Sequence, residues 1–127
     1  VEENFHHYPN PQENGNKIDT RWMALTNSDG VGLMAVGMPL MSVSAWPYTQ
    51  ENMEDAEHIN ELVEIDSITV NIDYKQKGVG GDTAWDARAN AHPQYRLNAE
   101  GYEYQFRLSP YNKNMGTKTE RAKARFH

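Results

Sequence analysis

Short runs with a two-residue period, separated by turn residues, recur along this chain of 127 residues. Such alternation is typical of strands with one buried face. Residues 20–26 alternate in this way and lead into the turn sequence NSDG, in which Gly30 is free to take a positive φ. Further strands are predicted at 40–46 and 67–74, and as a hairpin of 95–97 with 102–108. The pattern predicts an all-β fold, an antiparallel β-sandwich that either closes alone or is half of a larger sandwich.

The pattern changes to helical spacing over residues 49–62. Met53, Ala56, Ile59 and Leu62 recur at intervals of three, and Thr49 is placed to cap the N-terminus. This predicts one short surface helix. Its acidic residues recur at spacings of three and four and would share a face, which we interpret as solvated rather than metal-binding: Glu54, Glu57, Glu61 and Glu64.

Composition excludes several function classes. The net charge of −6 argues against nucleic acid as a partner, and no apolar run approaches the roughly 20 residues that span a membrane. The absence of cysteine excludes disulfides and thiolate chemistry. The chain opens on Val1 in a polar stretch, as an excised piece of a longer polypeptide would. We expect one domain over residues 1–109, followed by a basic C-terminal tail over 110–127 that forms either an extended segment or a terminal helix.

The stretch GVGGDTAW places Trp85 after the most flexible segment of the chain. No helix with a lysine follows, as a phosphate-binding loop would require. Trp85 is either a core anchor or a flat apolar surface for a ligand, and the nearby Asp82 and Asp86 favour the second slightly. No pair of carboxylates, metal-ligand spacing or Ser/His/Asp set stands out elsewhere. The residues alone therefore indicate an acidic β-sandwich with a candidate carbohydrate-facing loop.

Four segments together resemble a known family. They are YPNPQENGN (8–16), TRWMAL (20–25), VNIDYKQKGVGGDTAW (70–85) and YRLNAEGYEYQFRL (95–108). In order and spacing they are similar to the C-terminal, small-chain-like domain of bacterial β-galactosidases of glycoside hydrolase family 2. The resemblance covers nearly everything from Tyr8 to about Leu108.

The resemblance implies a partial sandwich of the galactose-mutarotase type and a site role for the loop 78–86. In the family, the tryptophan at the position of Trp85 stacks on the aglycone of the substrate, such as the glucose of lactose. The residues that would support the loop are Gly78, Gly80, Gly81 and Asp82. The family's catalytic glutamates lie on a (β/α)8 barrel earlier in the chain, so the resemblance places no catalytic residue in this segment, which should be inactive alone. It implies no cofactor here either, because the family's Mg and Na ions bind mainly elsewhere.

The partners implied by the resemblance are the catalytic barrel and the preceding domains of the same enzyme, with the galactoside meeting this segment on its aglycone side. The parent enzyme is expected to be a homo-oligomer, with neither nucleic acid nor membrane as a partner. Two alternatives stay open. One is that the chain is a stand-alone carbohydrate-binding module rather than a domain of a larger enzyme. The other is that it is a structural interaction domain in which Trp85 is buried at an interface.

Overall fold

A four-stranded antiparallel sheet organises the computed structural model, which describes residues 4–124. Its strands are β1 (Lys17–Thr26), β2 (Val31–Trp46), β3 (Thr69–Asp73) and β4 (Gln105–Asn112). β2 is central. β1 pairs with one edge of β2, while β4 and β3 pair with the first and second halves of its other edge. The prediction of an all-β antiparallel fold is confirmed, as a partial sandwich that shows one sheet within the described residues.

The turn between β1 and β2 forms as the sequence predicts. Gly30 has a φ of +77°, which a side chain would disfavour. The Asn27 side-chain oxygen accepts hydrogen bonds from the backbone N–H groups of Asp29 and Val31, at 3.1 and 3.0 Å. All these contacts lie within five residues, so the local sequence is enough to specify the turn.

Residues 40–46 were predicted as a separate strand, and this prediction is wrong. They continue from Val31 as one strand of 16 residues that runs through Pro39. Pro39 lies where the pairing partner of β2 changes, since the pairing with β4 extends to Met38 and the pairing with β3 starts at Ser42. A proline lacks a backbone donor, and it is tolerated in a strand where the ladder does not need one.

β2 presents apolar side chains on both faces of the sheet. The helix face consists of Trp22, Ala24, Met34, Val36 and Tyr111, against which Ala122 packs. The open face consists of Met23, Leu33, Ala35, Met41, Val43, Ile72 and Leu108. On the open face, Leu33 and Leu108 remain 59% and 57% exposed. The chain therefore covers one face of its sheet and leaves part of the other to solvent.

The predicted helix over 49–62 is shorter than its periodicity indicates. α1 (Gln50–Asp55) begins as expected, with the Thr49 hydroxyl accepting from the Asn52 N–H at 3.0 Å. It then ends because the Asn52 side chain binds the returning chain, accepting from the Val63 N–H at 2.7 Å. Leu62 packs on the cluster of Trp46, Tyr48 and Met53. The single helical face predicted for Glu54, Glu57, Glu61 and Glu64 does not form, and a separate 3-10 turn (Ile59–Glu61) follows α1.

The predicted hairpin through NAEG is also wrong. Tyr95 ends a 3-10 turn (Pro93–Tyr95), and residues 96–104 are irregular. The partner of β4 is instead β2, with Leu108 opposite Ala35 and Tyr111 opposite Gly32. Burying Tyr111 against the helix face outweighs the local turn signal, since a buried aromatic contributes more than a short hairpin.

The C-terminal segment folds back onto the sheet. β4 runs across residue 110, where composition indicated the start of a tail, and α2 (Lys118–Lys123) follows as a second short helix. Thr117 and Glu120 form a reciprocal cap at its start. The Arg107 guanidinium donates to the carbonyl groups at its end, at 2.6 Å to Ala124 and 3.0 Å to Arg121. A cation at a helix C-terminus satisfies exposed carbonyls and favours the dipole.

Replacing Arg107 by methionine should destabilise the protein by about 2 kcal/mol, because hydrogen bonds from a charged donor to the α2 carbonyls are lost. The free energy of unfolding in urea measures this effect. Arg21→Met is the matched control, since Arg21 is an exposed arginine on β1. Equal unfolding free energies for the two variants would contradict the role assigned to Arg107.

Candidate functional site: the tryptophan loop

The tryptophan loop (residues 78–95) lies between β3 and β4 and is closed at its base. The Gly78 N–H donates to the Tyr95 carbonyl at 2.7 Å, which joins the two ends of the loop. Ala91 is buried inside, at 3% exposure. A surface loop whose ends meet in this way resembles an Ω-loop, although this one is slightly longer than most. Such a loop holds a defined shape without regular secondary structure.

Each of the three glycines in the loop occupies a position where a side chain would clash or strain the backbone. A Cβ on Gly81 would collide with the Arg88 carbonyl oxygen and lie 2.5 Å from that of Asn90. A Cβ on Gly78 would lie 2.6 Å from the Cβ of Tyr95. Gly80 faces open space but has a φ of +80°. Two glycines thus permit close approach of the two arms, and the third permits the turn between them.

Trp85 lies at the outer end of the loop with 93% of its surface exposed. It is therefore not a core anchor of this chain, which was one of the two interpretations of the sequence. Val79, in the same loop, is 87% exposed. Large apolar side chains this exposed are candidates for contact with a ligand or another protein surface.

Asp86 organises the turn that carries Trp85. Its Oδ1 accepts from the Thr83 hydroxyl at 2.7 Å and from the Arg88 N–H at 2.8 Å, and its Oδ2 pairs with the Arg88 guanidinium at 2.7 Å. The Arg88 side chain foremost, and then Thr83 and the Arg88 N–H, lower the pKa of Asp86 from 3.8 to about 2. One ionised carboxylate thus binds Thr83, which precedes Trp85 in the chain, and Arg88, which follows it.

Asp82 makes two contacts with the returning arm of the loop. Its N–H donates to the Arg88 carbonyl at 2.8 Å, and its Oδ1 lies 2.8 Å from Nε2 of His92. Both carboxylates near Trp85 are therefore hydrogen-bonded to a side chain of the returning arm, Asp82 to His92 and Asp86 to Arg88.

The structure brings all the site residues predicted from the sequence into this one loop: Gly78, Gly80, Gly81, Asp82 and Trp85. Their roles in substrate binding stay predictions. Sequence reasoning missed Thr83, Arg88 and His92, because polar contacts in an irregular loop have no periodic signal. Across residues 4–124, no three His, Asp or Glu side chains converge as a metal-binding group, and we assign none of them to a metal. No helix in that part of the chain is long and apolar enough to cross a membrane.

The sheet and the loop together define an all-β domain that carries an exposed aromatic side chain on a closed loop. A family model described as the beta galactosidase small chain matches residues 1–108. The chain belongs to this family, as its sequence motifs led us to expect.

Three relatives illustrate the similarity, all named beta-galactosidase. The chain is 42% identical over 111 residues to that of Priestia megaterium, which covers 87% of this chain and 10% of the relative. It is 35% identical over 102 residues to that of Halalkalibacterium halodurans, with 79% and 10% covered. It is 33% identical over 114 residues to that of Streptococcus thermophilus, with 88% and 11% covered. The chain thus spans about a tenth of the length of the curated relatives it matches.

Gly81→Ala should open the tryptophan loop, because the new methyl group collides with the carbonyl oxygens of Arg88 and Asn90. These are backbone atoms, so the clash is relieved only if the returning arm of the loop moves. Trypsin cleavage after Arg88 should become at least about tenfold faster, since cleavage requires local opening. Gly101→Ala is the matched control, as nothing lies within 4 Å of a Cβ there. Wild-type cleavage rates at Arg88 in both variants would show that the close approach at Gly81 does not hold the loop.

The Asp86 turn should lose its ion pair only in strong acid. Because the folded-state pKa of Asp86 is lowered from 3.8 to about 2, the stabilisation is fully present above about pH 4 and is lost as the pH falls towards 2. Carboxyl chemical shifts followed by NMR against pH would measure the midpoint. Arg88→Met removes the largest cause and should move the midpoint upwards, towards 3.8. An unchanged midpoint in that variant would contradict the assignment to Arg88.

Proposed function

We propose that the chain works as a non-catalytic part of a β-galactosidase of glycoside hydrolase family 2, which hydrolyses terminal β-D-galactosides such as lactose. Trp85 stacks on the aglycone side of the substrate, and the catalytic glutamates and the Mg and Na ions belong to other parts of the enzyme. The observation that carries the proposal is the 93% exposure of Trp85 on a loop closed by its own hydrogen bonds. The family of the chain supports the reaction class.

The chemistry of the indole suits this role. A sugar ring offers an apolar C–H face and a polar rim, and a flat aromatic ring complements that face. Covering about 50–80 Å² of the indole would contribute roughly 1–2 kcal/mol at about 25 cal/mol per Å². This corresponds to about ten- to thirtyfold in affinity. Stacking of this kind acts equally in the ground and transition states, so it lowers KM and leaves kcat nearly unchanged.

The partner in this proposal is the rest of the same enzyme, with the catalytic barrel facing the tryptophan loop and a further sheet covering the open face. Support for the second contact comes from the exposure of Leu33 on β2 and Leu108 on β4, which are 59% and 57% exposed on the open face. The matched residues make up 10% of the Priestia megaterium relative, which has ample further sequence for such a cover. The exposed face makes a stand-alone carbohydrate-binding module the weaker alternative, because isolated domains rarely leave an apolar sheet face in water.

Trp85→Ala in the complete enzyme should raise KM for lactose about tenfold and leave kcat within about twofold, because only uniform binding is lost. Trp85→Phe should recover part of the affinity, since a smaller ring still stacks. Tyr8→Ala removes an exposed ring from the N-terminal segment and is the matched control. Steady-state kinetics with lactose and with an aryl galactoside provide the measurement.

An unchanged KM for lactose in Trp85→Ala would refute the aglycone contact. If instead the variant loses kcat together with the assembled size of the enzyme, Trp85 is an interface residue and the structural alternative is correct. Gel filtration of each variant alongside the kinetics separates these two results.

A further inference from the structure

The tryptophan loop consists of two nested parts. The tip (residues 82–88) carries Trp85 and is closed by the hydrogen bond from the Asp82 N–H to the Arg88 carbonyl, at 2.8 Å. The stem (residues 78–81 and 89–95) is closed by the bond from Gly78 to Tyr95, at 2.7 Å. The Asp86 side-chain contacts lie within the tip and fix its shape. On the returning arm, backbone bonds from the Ala89 N–H to the Asp86 carbonyl, at 2.8 Å, and from the Asn90 N–H to the Ala87 carbonyl, at 3.5 Å, already join the tip to the stem.

His92 joins the stem to the outgoing arm of the tip, at Asp82. Its carbonyl accepts from the Tyr95 N–H at 2.8 Å, so its backbone belongs to the 3-10 turn that closes the stem. Its ring nitrogen Nε2 lies 2.8 Å from Oδ1 of Asp82, the first residue of the tip. The ring therefore spans from the stem to the tip by a side-chain hydrogen bond. Pro93 follows directly and restricts the backbone conformation of His92 to the extended region.

We infer that His92 is a positioning residue for substrate binding: through Asp82 it holds the tip, and with it Trp85, at a fixed angle to the sheet. This inference rests on the function proposed for Trp85. In this role His92 does not contact the sugar and acts only through the position of the Trp85 indole. A charge-assisted hydrogen bond of this length is directional, and it suits a group that must fix an orientation rather than fill a volume.

The expected effect of His92 on KM depends on how often the tip holds Trp85 in the orientation that binds the aglycone. When the tip samples several orientations, the apparent affinity for the aglycone falls by the fraction of time that Trp85 is correctly placed. Loss of one exposed hydrogen bond to a charged group should change that fraction about three- to tenfold. The effect has a ceiling, because it cannot exceed the loss caused by removing the indole itself.

The test is a double-mutant cycle in the complete enzyme. His92→Ala should raise KM for lactose about three- to tenfold with kcat nearly unchanged. His92→Gln should stay within about twofold of wild type, since its amide N–H reaches a position similar to Nε2. In the Trp85→Ala background, His92→Ala should add nothing, because the residue acts through a ring that is no longer there.

The matched control is His58→Ala. His58 also pairs with a carboxylate in a 3-10 turn, with 3.2 Å between its Nδ1 and Oε1 of Glu61, and it is similarly exposed. It should leave KM unchanged. An equal rise in KM in His58→Ala, or a His92→Ala effect that persists in full without Trp85, would overturn the inference.

Amide hydrogen exchange distinguishes failure of this inference from failure of the proposed function. In His92→Ala, exchange at the Asp82 N–H should become about three- to tenfold faster, whatever ligand Trp85 meets. If Trp85→Ala leaves KM unchanged but this exchange is faster, the sugar contact is refuted and the role of His92 in holding the tip stands. Unchanged exchange at Asp82 overturns the positioning role directly.

Discussion

The two-sided burial of β2 is the constraint on which the rest of the sheet depends. Every other strand among residues 4–124 pairs with this one strand, so its register sets theirs. Met34 is 1% exposed on one face and Ala35 is 3% exposed on the other. A central strand with apolar groups on both sides needs cover on both sides. α2 supplies cover for the helix face through Ala122, whereas Leu33 and Leu108 on the open face remain exposed.

The tryptophan loop is stabilised in a different way from the sheet. Ala91 is the residue buried within it, whereas the contacts that shape it are polar: backbone bonds at its base, the Asp86 network and the Asp82–His92 pair. A loop held by an apolar core would have drawn in its tryptophan, the largest apolar side chain available. Because polar contacts close this loop, its shape does not require Trp85 to be buried. The loop thus combines a backbone held by hydrogen bonds with an exposed Trp85 side chain.

Sequence patterns correctly predicted the structural features that are held by contacts between residues close together in the chain. The NSDG turn and the Thr49 cap are each closed within a few residues, and both form as the sequence indicates. The three failures are non-local. β2 continues through Pro39 because its partners change there, α1 ends because Asn52 binds Val63, and β4 pairs with a strand far earlier in the chain. In the loop, three closely spaced glycines indicated tight folding, but no pattern links Asp82 to a histidine ten residues later.

A row of aromatic rings runs from the open face to Tyr74, which precedes the tryptophan loop in the chain. Phe106 of β4 stacks on Tyr104 with 6.0 Å between centroids, and Tyr104 stacks on Tyr74 at 5.7 Å. The Tyr104 hydroxyl also donates to the Ile72 carbonyl of β3 at 2.9 Å. Tyr74 directly follows β3 and leads to the base of the loop at Gly78. A surface that covers the open face would immobilise these rings, and the same contact that completes the sheet would then stiffen the base from which Trp85 is presented.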